Sequence, residues 1–361
     1  MIVPVAWVTS LENWFQKHQR LMPWRSNPNP YYVWISEMML QQTQVDTVIP
    51  YFNRFLTRFP TVESLARADL QDVLKCWEGL GYYSRARNLH KAAKIVVEKW
   101  GGMLPSEYEE LQTLPGLGPY CAAAITSIAF LNPIPVVDGN VLRVFTRFWG
   151  IFEDIRLPKV RETLFEQLSP FIKTANPSHF NQGIMELGAT LCKPTSPTCK
   201  NCPLKADCFA HKENKTDTLP VKSKKAPVPH HVIAVGIIWK KGKILVAKRK
   251  ETQMLGGLWE FPGGKKKATE SLSETVEREV LEETGLAVKV KNEHCAVKHT
   301  YTHFKITLHA FHCEILSGKE QPHCSDELKW ILPQNLETLP FPTANKKIIT
   351  EILSSLQSPN L

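Results

Sequence analysis

The chain has 361 residues, enough for two or three compact domains of about 150 residues each. Hydrophobic residues make up 43% and charged residues 22%, a balance typical of globular proteins that argues against a disordered or fibrous chain. Lysine and arginine number 44 and acidic residues 35, so the formal net charge is +9. This excess favours a polyanionic partner without identifying one.

Targeting signals and cysteine usage bear on the compartment. No apolar run reaches the ~18 residues that a membrane-spanning helix requires. Residues Met1 to Ser10 lack the basic stretch and long apolar core of a secretory signal. The chain has 9 cysteines, an odd number, and four of them cluster between Cys192 and Cys208. We therefore expect a cytoplasmic protein with a metal site rather than a disulfide framework.

Hydrophobic spacing predicts two domains of different class. Residues 1–211 show apolar residues at three- and four-residue spacing, which predicts an all-α domain. Residues 212–229 are rich in Lys, Thr, Pro and Ser and predict an extended linker. Residues 230–361 predict an α/β domain. The predicted helices are Trp34–Phe59, Leu65–Cys76, Ser84–Trp100, Pro119–Phe130 and Leu272–Thr284, and the predicted strands are Val232–Trp239, Ile244–Ala247 and Phe304–Glu314.

Glu37 lies in a segment, Trp34 to Gln44, that is otherwise rich in bulky apolar residues. Helical spacing puts Glu37, Gln41 and Gln44 on one face. An acid in those surroundings would be partly desolvated, so its neutral form is favoured and it can donate a proton. Taken alone, Glu37 could equally be a surface charge near a helix start.

A glycine-rich turn separates two predicted helices at Leu114 to Tyr120, with the sequence Leu-Pro-Gly-Leu-Gly-Pro-Tyr. It resembles the helix-hairpin-helix of DNA repair proteins. Gly116 and Gly118, which flank Leu117, let the turn approach a phosphate closely. Backbone N–H groups at the start of the following helix can then bind the anion without reading a base. Taken alone, such a turn is more often structural than functional.

Asp138 immediately precedes a predicted helix that runs to Trp149. One interpretation is that Asp138 is simply the N-cap of that helix and has no catalytic role. The functional interpretation uses the same geometry, because the helix dipole and N–H groups hold a carboxylate ionised where it can face a developing cation. One neutral and one ionised carboxyl group can together break a glycosidic bond through an oxocarbenium-like state.

Four cysteines in one loop, Cys192, Cys199, Cys202 and Cys208, have the spacing C-x6-C-x2-C-x5-C. Their thiolates can surround a single metal centre at little loop-closure cost. Structural zinc usually uses two short cysteine pairs separated by a longer spacer, and only one short pair is present here. We therefore predict a [4Fe-4S] cluster, with zinc or free thiols as alternatives. The intervening lysines could face a phosphate backbone or form a solvated rim; they are Lys193, Lys200 and Lys205.

The four-cysteine loop resembles the iron-sulfur loop of the endonuclease III family of DNA glycosylases. Over nearly the whole chain, the sequence resembles the MutY family of adenine DNA glycosylases. Besides the segments above, the resemblance rests on Leu21-Met22-Pro23-Trp24-Arg25 and on Gly79 to Leu89. It implies a helix-hairpin-helix glycosylase joined to a Nudix-like domain. Such a protein would act as a monomer on duplex DNA, at adenine mispaired with 8-oxoguanine or guanine.

The same resemblance implies roles for individual residues. Glu37 would protonate the adenine at N7, and Asp138 would stabilise the sugar cation and help water to attack. Tyr120 and Asn140 would line the pocket, and Tyr82 would be wedged into the base stack beside 8-oxoguanine. The other implied DNA or base contacts are Arg20, Arg25, Leu40, Gln42, Gly116, Leu117 and Gly118.

Tyr120 also bears on the reaction type. Glycosylases that cut the strand carry a lysine just after the hairpin, whose amine attacks the sugar. This chain has Tyr120 there, which predicts hydrolysis only. The residue therefore disfavours the alternative of an endonuclease III-like pyrimidine glycosylase.

The C-terminal domain carries the complete Nudix signature, Gly264-x5-Glu270-x7-Arg278-Glu279-Val280-x-Glu282-Glu283-x-Gly285-Leu286. In Nudix enzymes these glutamates bind Mg²⁺ and activate water. An intact signature would permit hydrolysis of a nucleotide such as 8-oxo-dGTP, which the degraded signature of most MutY proteins would not. We favour a binding role instead, because a glycosylase needs a reader of the opposite base. Tyr301-Thr302-His303 matches the family's Phe-Ser-His loop, with Thr302 in place of the serine.

Overall fold

The computed structural model describes residues 6–223 and 227–357. Contacts divide the chain into two compact units, Met1–Arg67 with Asn88–Lys225 and Ala68–Arg87 with Ala226–Leu361. The second unit thus includes a segment from the predicted N-terminal domain, residues 68–87. Residues 224–226 of the predicted linker lie outside the described residues.

In the described part of the first unit, all regular secondary structure is helical. In chain order its helices are Ala6–His18, Pro23–Ser26, Pro30–Leu40, Val45–Arg58, Val62–Arg67, Ser84–Trp100 (which begins in residues of the second unit), Tyr108–Gln112, Pro119–Ala129, Gly139–Trp149, Pro158–Ile172, Pro177–Thr190, the 3₁₀ turn Cys199–Asn201 and Phe209–Lys212. Pro177–Thr190 packs on Ala6–His18, Pro119–Ala129 and Gly139–Trp149. It therefore joins the helix that carries Tyr120 to the helix that Asp138 caps.

Two of the predicted helices are interrupted. The segment Trp34–Phe59 breaks into two helices because Gln42 has a left-handed φ of 58°. The segment Leu65–Cys76 also breaks, since Asp69 caps a new helix by accepting a hydrogen bond from the Gln71 N–H at 2.7 Å. The prediction that Glu37, Gln41 and Gln44 share a helical face is wrong, because the helix that carries Glu37 ends at Leu40.

The second unit is built on a seven-stranded sheet. Its strands are β1 His230–Lys240, β2 Lys243–Arg249, β3 Trp259–Glu260, β4 Gly263–Lys265, β5 Leu286–Thr300, β6 Lys305–Gly318 and β7 Ser325–Ile331. The order is β3-β2-β1-β6-β5, with β4 paired to β1 and β7 paired to β2. Strands β1 and β6 are parallel, and the other pairs are antiparallel. The remaining elements are helices Leu70–Trp77, Leu272–Thr284 and Thr343–Gln357 and the 3₁₀ turn Pro333–Thr338.

Alternating side chains of the sheet form two apolar clusters. Ile244 and Val246 pack with residues of helix Thr343–Gln357, whereas Leu245 packs with residues of helix Leu272–Thr284. This period of two is what a sheet covered by a helix on each face requires. The predicted α/β class is confirmed. Among the described helices, none combines the length and the apolar character needed to cross a bilayer.

Candidate active site

A cavity of about 460 Å³ in the first unit is lined by all the predicted catalytic residues and by some of the predicted DNA-contacting residues. The predicted catalytic residues that line it are Glu37, Tyr120, Asp138 and Asn140, and the predicted base-contacting residues are Arg20, Arg25 and Leu40. Gln42 is not among the described residues of this lining. The carboxyl groups of Glu37 and Asp138, about 100 positions apart in sequence, therefore line the same cavity.

Glu37 is a buried acid whose side chain reaches this cavity from helix Pro30–Leu40. The residue is only 4% exposed, and burial raises its pKa to about 7. The charge of Asp138 raises the pKa further, while a hydrogen bond from Tyr120 and the charge of Arg25 oppose the rise. A pKa near neutrality suits a residue that must give up a proton at physiological pH. This direction agrees with the prediction from the apolar surroundings.

The hydroxyl of Tyr120 fixes the orientation of this acid. It donates a hydrogen bond to Glu37 Oε2 at 2.6 Å. Burial, followed by the charges of Glu37 and Asp138, raises the pKa of Tyr120 well above its usual value. The phenol therefore keeps its proton and remains a donor. With Oε2 occupied as an acceptor, the proton of neutral Glu37 is directed to Oε1.

Asp138 is the N-cap of helix Gly139–Trp149, as the sequence predicts. It accepts hydrogen bonds from the Val141 N–H at 2.7 Å and from Asn140 Nδ2 at 2.8 Å. The sequence predicts that the helix N-terminus holds this carboxylate ionised, and the two hydrogen bonds act in that direction. Burial is the largest cause and raises the pKa, whereas the hydrogen bonds oppose this rise. The two donors remain directed at the carboxylate and stabilise its charged form.

Arg143 supports the Asp138 loop from behind. Its Nη2 donates to Asn140 Oδ1 and to the Gly188 carbonyl, both at 2.8 Å, and its Nε donates to the Cys192 carbonyl at 2.7 Å. A Cβ on Gly188 would lie 2.6 Å from Cβ of Asn140, so this glycine leaves the space that Asn140 needs. Our sequence interpretation missed both residues. The spacing of three between Asn140 and Arg143 on one helix was the available signal.

A buried glutamate organises the basic side of the cavity. Glu186 has a side chain that is 1% exposed and accepts hydrogen bonds from Arg20 Nε at 2.6 Å and Arg25 Nη2 at 2.9 Å. Arg25 Nε also donates to Gln182 Oε1 at 2.9 Å. The two arginines are therefore held in fixed positions along the wall. No local pattern in the sequence pointed to Glu186, because it lies in an ordinary helix that is far from both arginines along the chain.

The hairpin residues divide between packing and an exposed turn. Gly116 has a φ of 82°, and a Cβ there would come within 2.8 Å of Asn88 Cβ, so both conformation and space require glycine. Leu117 is 2% exposed and packs inside. Gly118 is the N-cap of helix Pro119–Ala129, and a Cβ at this position would meet no other atom within 4 Å. The first turn of this helix is therefore the part of the hairpin that suits an anion.

The four cysteines lie in one loop, each partly buried. Burial raises the pKa of Cys208, and the charges of Cys192 and Cys199 raise it further, so these thiols are within electrostatic reach of one another. Arg147 Nη1 lies 3.4 Å from Cys192 Sγ. Sulfur donors beside a guanidinium fit the chemistry of an iron-sulfur cluster. As the side chains stand, however, no set of three or more His, Cys, Asp or Glu in the described ranges is arranged to hold a metal ion.

A second cavity, of about 530 Å³, lies in the second unit. Tyr301 and the carboxyl groups of Glu260, Glu279 and Glu283 line it, whereas Thr302 and His303 are not among its described lining residues. Burial, and then the charge of Glu260, raises the pKa of Glu283 to about 7. Three glutamates of the Nudix signature are paired with its arginine, because Arg278 forms ion pairs of 2.6–3.1 Å with Glu270, Glu279 and Glu282, whereas Glu283 accepts a hydrogen bond from the Gly263 N–H.

Tyr82 and Thr302, which the sequence separates by more than 200 positions, meet in the second unit. The Tyr82 hydroxyl donates a hydrogen bond to Thr302 Oγ1. Tyr82 has a left-handed φ of 49°, which is uncommon for an aromatic residue. The residue predicted to enter the base stack is thus in direct contact with the hydroxyl predicted to read 8-oxoguanine.

Comparison with known proteins identifies both parts of the chain. Residues 35–170 match the profile of the HhH-GPD superfamily of base excision DNA repair proteins, and residues 234–351 match that of the NUDIX domain. An adenine DNA glycosylase of Buchnera aphidicola subsp. Acyrthosiphon pisum is 38% identical over 256 residues, which cover 71% of this chain and 73% of the relative. The Homo sapiens adenine DNA glycosylase is 32% identical over 395 aligned residues, covering 94% of this chain and 72% of that protein.

A solved structure supports the fold of the helical part. The structure described as a thermostable thymine-DNA glycosylase is similar with a TM-score of 0.53 and 26% identity, covering 57% of this chain and 95% of that protein. The predicted helix-hairpin-helix glycosylase fold is confirmed by this similarity and by the matched profile.

Proposed function

Because the chain belongs to the adenine DNA glycosylase family, we propose that it excises adenine mispaired with 8-oxoguanine or guanine from duplex DNA and leaves an abasic site. The observation that carries this proposal is the arrangement of Glu37 and Asp138. A buried carboxyl group with a pKa of about 7 and a helix-capping carboxylate line the same cavity. We place the protein in the cytoplasm, bound to DNA.

The proposed reaction starts when the adenine nucleotide leaves the base stack. Flipping costs a few kcal/mol, which contacts to the wedge residue, the phosphates and the pocket offset. The cavity volume lies within the range of ~300–1,000 Å³ that is common for ligand sites. Arg20, Arg25 and Leu40 on its wall contact the extrahelical base, and Gln42 is a further proposed base contact. The hairpin holds the neighbouring phosphate backbone through Gly118 and the helix turn that follows it, with Gly116 and Leu117 packed behind that turn.

The two carboxyl groups then act on the glycosidic bond. Glu37 Oε1 donates its proton to N7 of adenine, which turns the base into a neutral leaving group, while Tyr120 keeps Oε2 oriented. Asp138 stabilises the positive charge that develops on the sugar and accepts a proton from the attacking water. Asn140 holds Asp138 in place. General acid catalysis supplies ~10²- to 10⁴-fold, so fixed electrostatic stabilisation must add the rest of a glycosylase rate enhancement of 10⁶-fold or more.

We propose that the four cysteines hold a [4Fe-4S] cluster, which would cross-link the loop and supply no step of the hydrolysis. Lys193, Lys200 and Lys205 between the ligands would then approach the DNA backbone. Sulfur-to-iron stoichiometry in the purified protein distinguishes this cluster from zinc.

We propose that residues 230–361 form a reading domain, connected through the linker of residues 212–229 to a glycosylase domain of residues 1–211. Tyr301, Thr302 and His303 would contact 8-oxoguanine opposite the adenine. A second candidate activity is Mg²⁺-dependent nucleotide hydrolysis, which the complete signature and the carboxyl groups around the 530 Å³ cavity favour. Hydrolysis of 8-oxo-dGTP by the full chain that requires Mg²⁺ and is lost in Glu283→Gln would establish it.

Single-turnover cleavage of duplexes with adenine opposite 8-oxoguanine, guanine or thymine tests the proposed function. We expect excision opposite the first two bases and little opposite thymine. Borohydride should trap no covalent complex, since a tyrosine stands where a strand-cutting enzyme has its lysine. Point variants such as Thr302→Val are better probes than removal of residues 230–361, because residues 68–87 pack with that part of the chain. Absence of adenine release from every duplex would reject the proposal.

The raised pKa of Glu37 predicts how excision depends on pH. Only the protonated acid can donate, and its pKa of about 7 is set by burial and the charge of Asp138 against Tyr120 and Arg25. The single-turnover rate should therefore be high below pH 7 and fall by up to tenfold per pH unit above it. In Tyr120→Phe, loss of a hydrogen bond that lowers this pKa should move the fall to higher pH. An unmoved or downward-shifted profile in that variant would contradict this assignment.

A further inference from the structure

Glu78 is a buried carboxylate that joins distant segments of the second unit. Its side chain is only 6% exposed. Oε1 accepts a hydrogen bond from the Phe341 N–H at 2.9 Å, and Oε2 pairs with Lys75 Nζ at 2.7 Å and with Lys346 Nζ at 3.0 Å. Lys75 Nζ also donates to the Leu339 carbonyl at 3.2 Å. One carboxylate thus ties the end of helix Leu70–Trp77 to residues 339–346.

The turn that follows Glu78 has an unusual backbone. Gly79, Gly81 and Tyr82 have φ values of 96°, 76° and 49°. Glycine adopts this region freely, but Tyr82 does so only where surrounding contacts stabilise it. Gly81 O accepts hydrogen bonds from Trp77 Nε1 at 3.1 Å and Arg85 Nη2 at 3.0 Å, which hold the turn from within.

This turn is attached to the C-terminal segments at both ends. Glu78 binds Phe341 and Lys346 before the turn, and the Tyr82 hydroxyl binds Thr302 within it. Because the backbone between Glu78 and Tyr82 is only a few residues long and internally bonded, a displacement of Glu78 moves Tyr82 as well. The ion-pair cluster formed by Glu78, Lys75 and Lys346 therefore anchors the start of the turn that carries Tyr82.

We propose that Glu78 is a positioning residue for recognition of the base opposite adenine, and that its ion pairs keep Tyr82 and Thr302 aligned on 8-oxoguanine. This inference rests on the proposed function, and it adds a determinant of specificity outside the catalytic cavity. Glu78 is not among the described residues that line the catalytic cavity. It acts through the position of Tyr82.

The chain offers a matched control in Gln71, at the other end of the same helix. Gln71 Nε2 donates to the Gly257 carbonyl and its Oε1 accepts a hydrogen bond from Trp259 Nε1, both at 3.0 Å. It attaches the helix to the same unit but lies away from the Tyr82 turn. Gln71→Ala thus weakens the attachment of the helix without acting directly on Tyr82.

The experiment measures single-turnover excision of adenine opposite 8-oxoguanine and opposite guanine, at saturating full-length protein. Glu78→Ala should lower the ratio of the two rates about fivefold or more, as expected for a coupling between neighbouring groups. Most of the loss should fall on the 8-oxoguanine duplex. Glu78→Gln should retain part of the ratio, because its amide oxygen can still accept the Phe341 N–H. Gln71→Ala should leave the ratio within about twofold of wild type.

A double-mutant cycle separates positioning from general stability. In a Thr302→Val background, where the Tyr82 hydroxyl has lost its partner, Glu78→Ala should cause no further loss of the ratio. Independent additive losses, or an unchanged ratio in Glu78→Ala, would overturn the inference while the glycosylase proposal stands. Equal wild-type rates on the two duplexes would also overturn it. Absence of adenine excision in wild type would instead reject the proposed function on which it rests.

Discussion

Glu37→Gln should lower the single-turnover rate of adenine excision by at least about 10²-fold, the lower end of what a general acid contributes. Glutamine has nearly the same size, and its amide oxygen can accept the Tyr120 hydrogen bond that Glu37 Oε2 accepts at 2.6 Å. The variant should therefore keep the cavity and bind mismatched duplex within a few-fold of wild type. It has no acidic proton to give to the leaving base at any pH, so the rate should also lose its alkaline fall.

The same substitution should stabilise the protein, which provides an internal control. The pKa of Glu37 is raised by burial from an ordinary 4.5 to about 7. Below pH 4.5 the acid is neutral in both folded and unfolded states, so its burial does not lower the free energy of unfolding. As pH rises from 4.5 to 7 the unfolded state ionises first, so the folded state loses up to roughly 3 kcal/mol. Glu37→Gln should recover this loss at pH 8 and none of it at pH 4.

Urea unfolding at the two pH values measures that difference, and gel-based cleavage measures the rate. A variant that excises adenine at a near-wild-type rate would remove Glu37 from the mechanism. A variant that is inactive but gains no stability at pH 8 would show that the carboxyl group is not buried in the folded protein as the structure has it. The cleavage rate thus tests whether Glu37 acts as the general acid, and the unfolding free energy tests whether its carboxyl group is buried.

Local signals in the sequence predicted local structure well. The helix Ser84–Trp100 matches its prediction at both ends, because a long amphipathic pattern is bounded by a glycine turn and a glycine pair. The helix Leu272–Thr284 also matches its prediction. Its capping box and the left-handed Gly285 lie directly beside its two ends in the sequence. Asp138 was recognisable as a cap for the same reason. In each case the interactions that fix the element lie within a few residues of it.

Contacts between distant residues could not be predicted in this way. The pairing of Arg20 and Arg25 with Glu186, and the packing of residues 68–87 in the second unit, depend on the tertiary fold. The helix break near Gln42 depends on the left-handed backbone of that residue, which the apolar pattern does not predict. The burial of Asp138, which raises its pKa against the hydrogen bonds at the helix N-terminus, likewise depends on the tertiary fold. Family resemblance supplied the residues of the site, while the structure supplied their partners.

Asp138→Asn should lower excision by about 10²- to 10³-fold, the effect typical of losing one electrostatic contact to a charged transition state. Asparagine caps helices as well as aspartate does, so the hydrogen bond from Val141 N–H, now 2.7 Å, can persist and the fold should remain intact. What disappears is the negative charge opposite the developing sugar cation. Mismatch binding measured by gel shift should change little, because the ground-state duplex carries no such cation.

A second aspartate cap separates loss of capping from loss of the catalytic anion. Asp69 caps helix Leu70–Trp77 through a hydrogen bond of the same length, 2.7 Å, from the Gln71 N–H. Asp69→Asn makes the identical chemical change at a site outside the cavity and should leave the excision rate unaltered. If both variants lost activity equally, helix capping would explain the effect. If Asp138→Asn retained the wild-type rate, the sugar cation would have to be stabilised by some group other than Asp138, because Glu37 can protonate the base but carries no charge while it holds its proton.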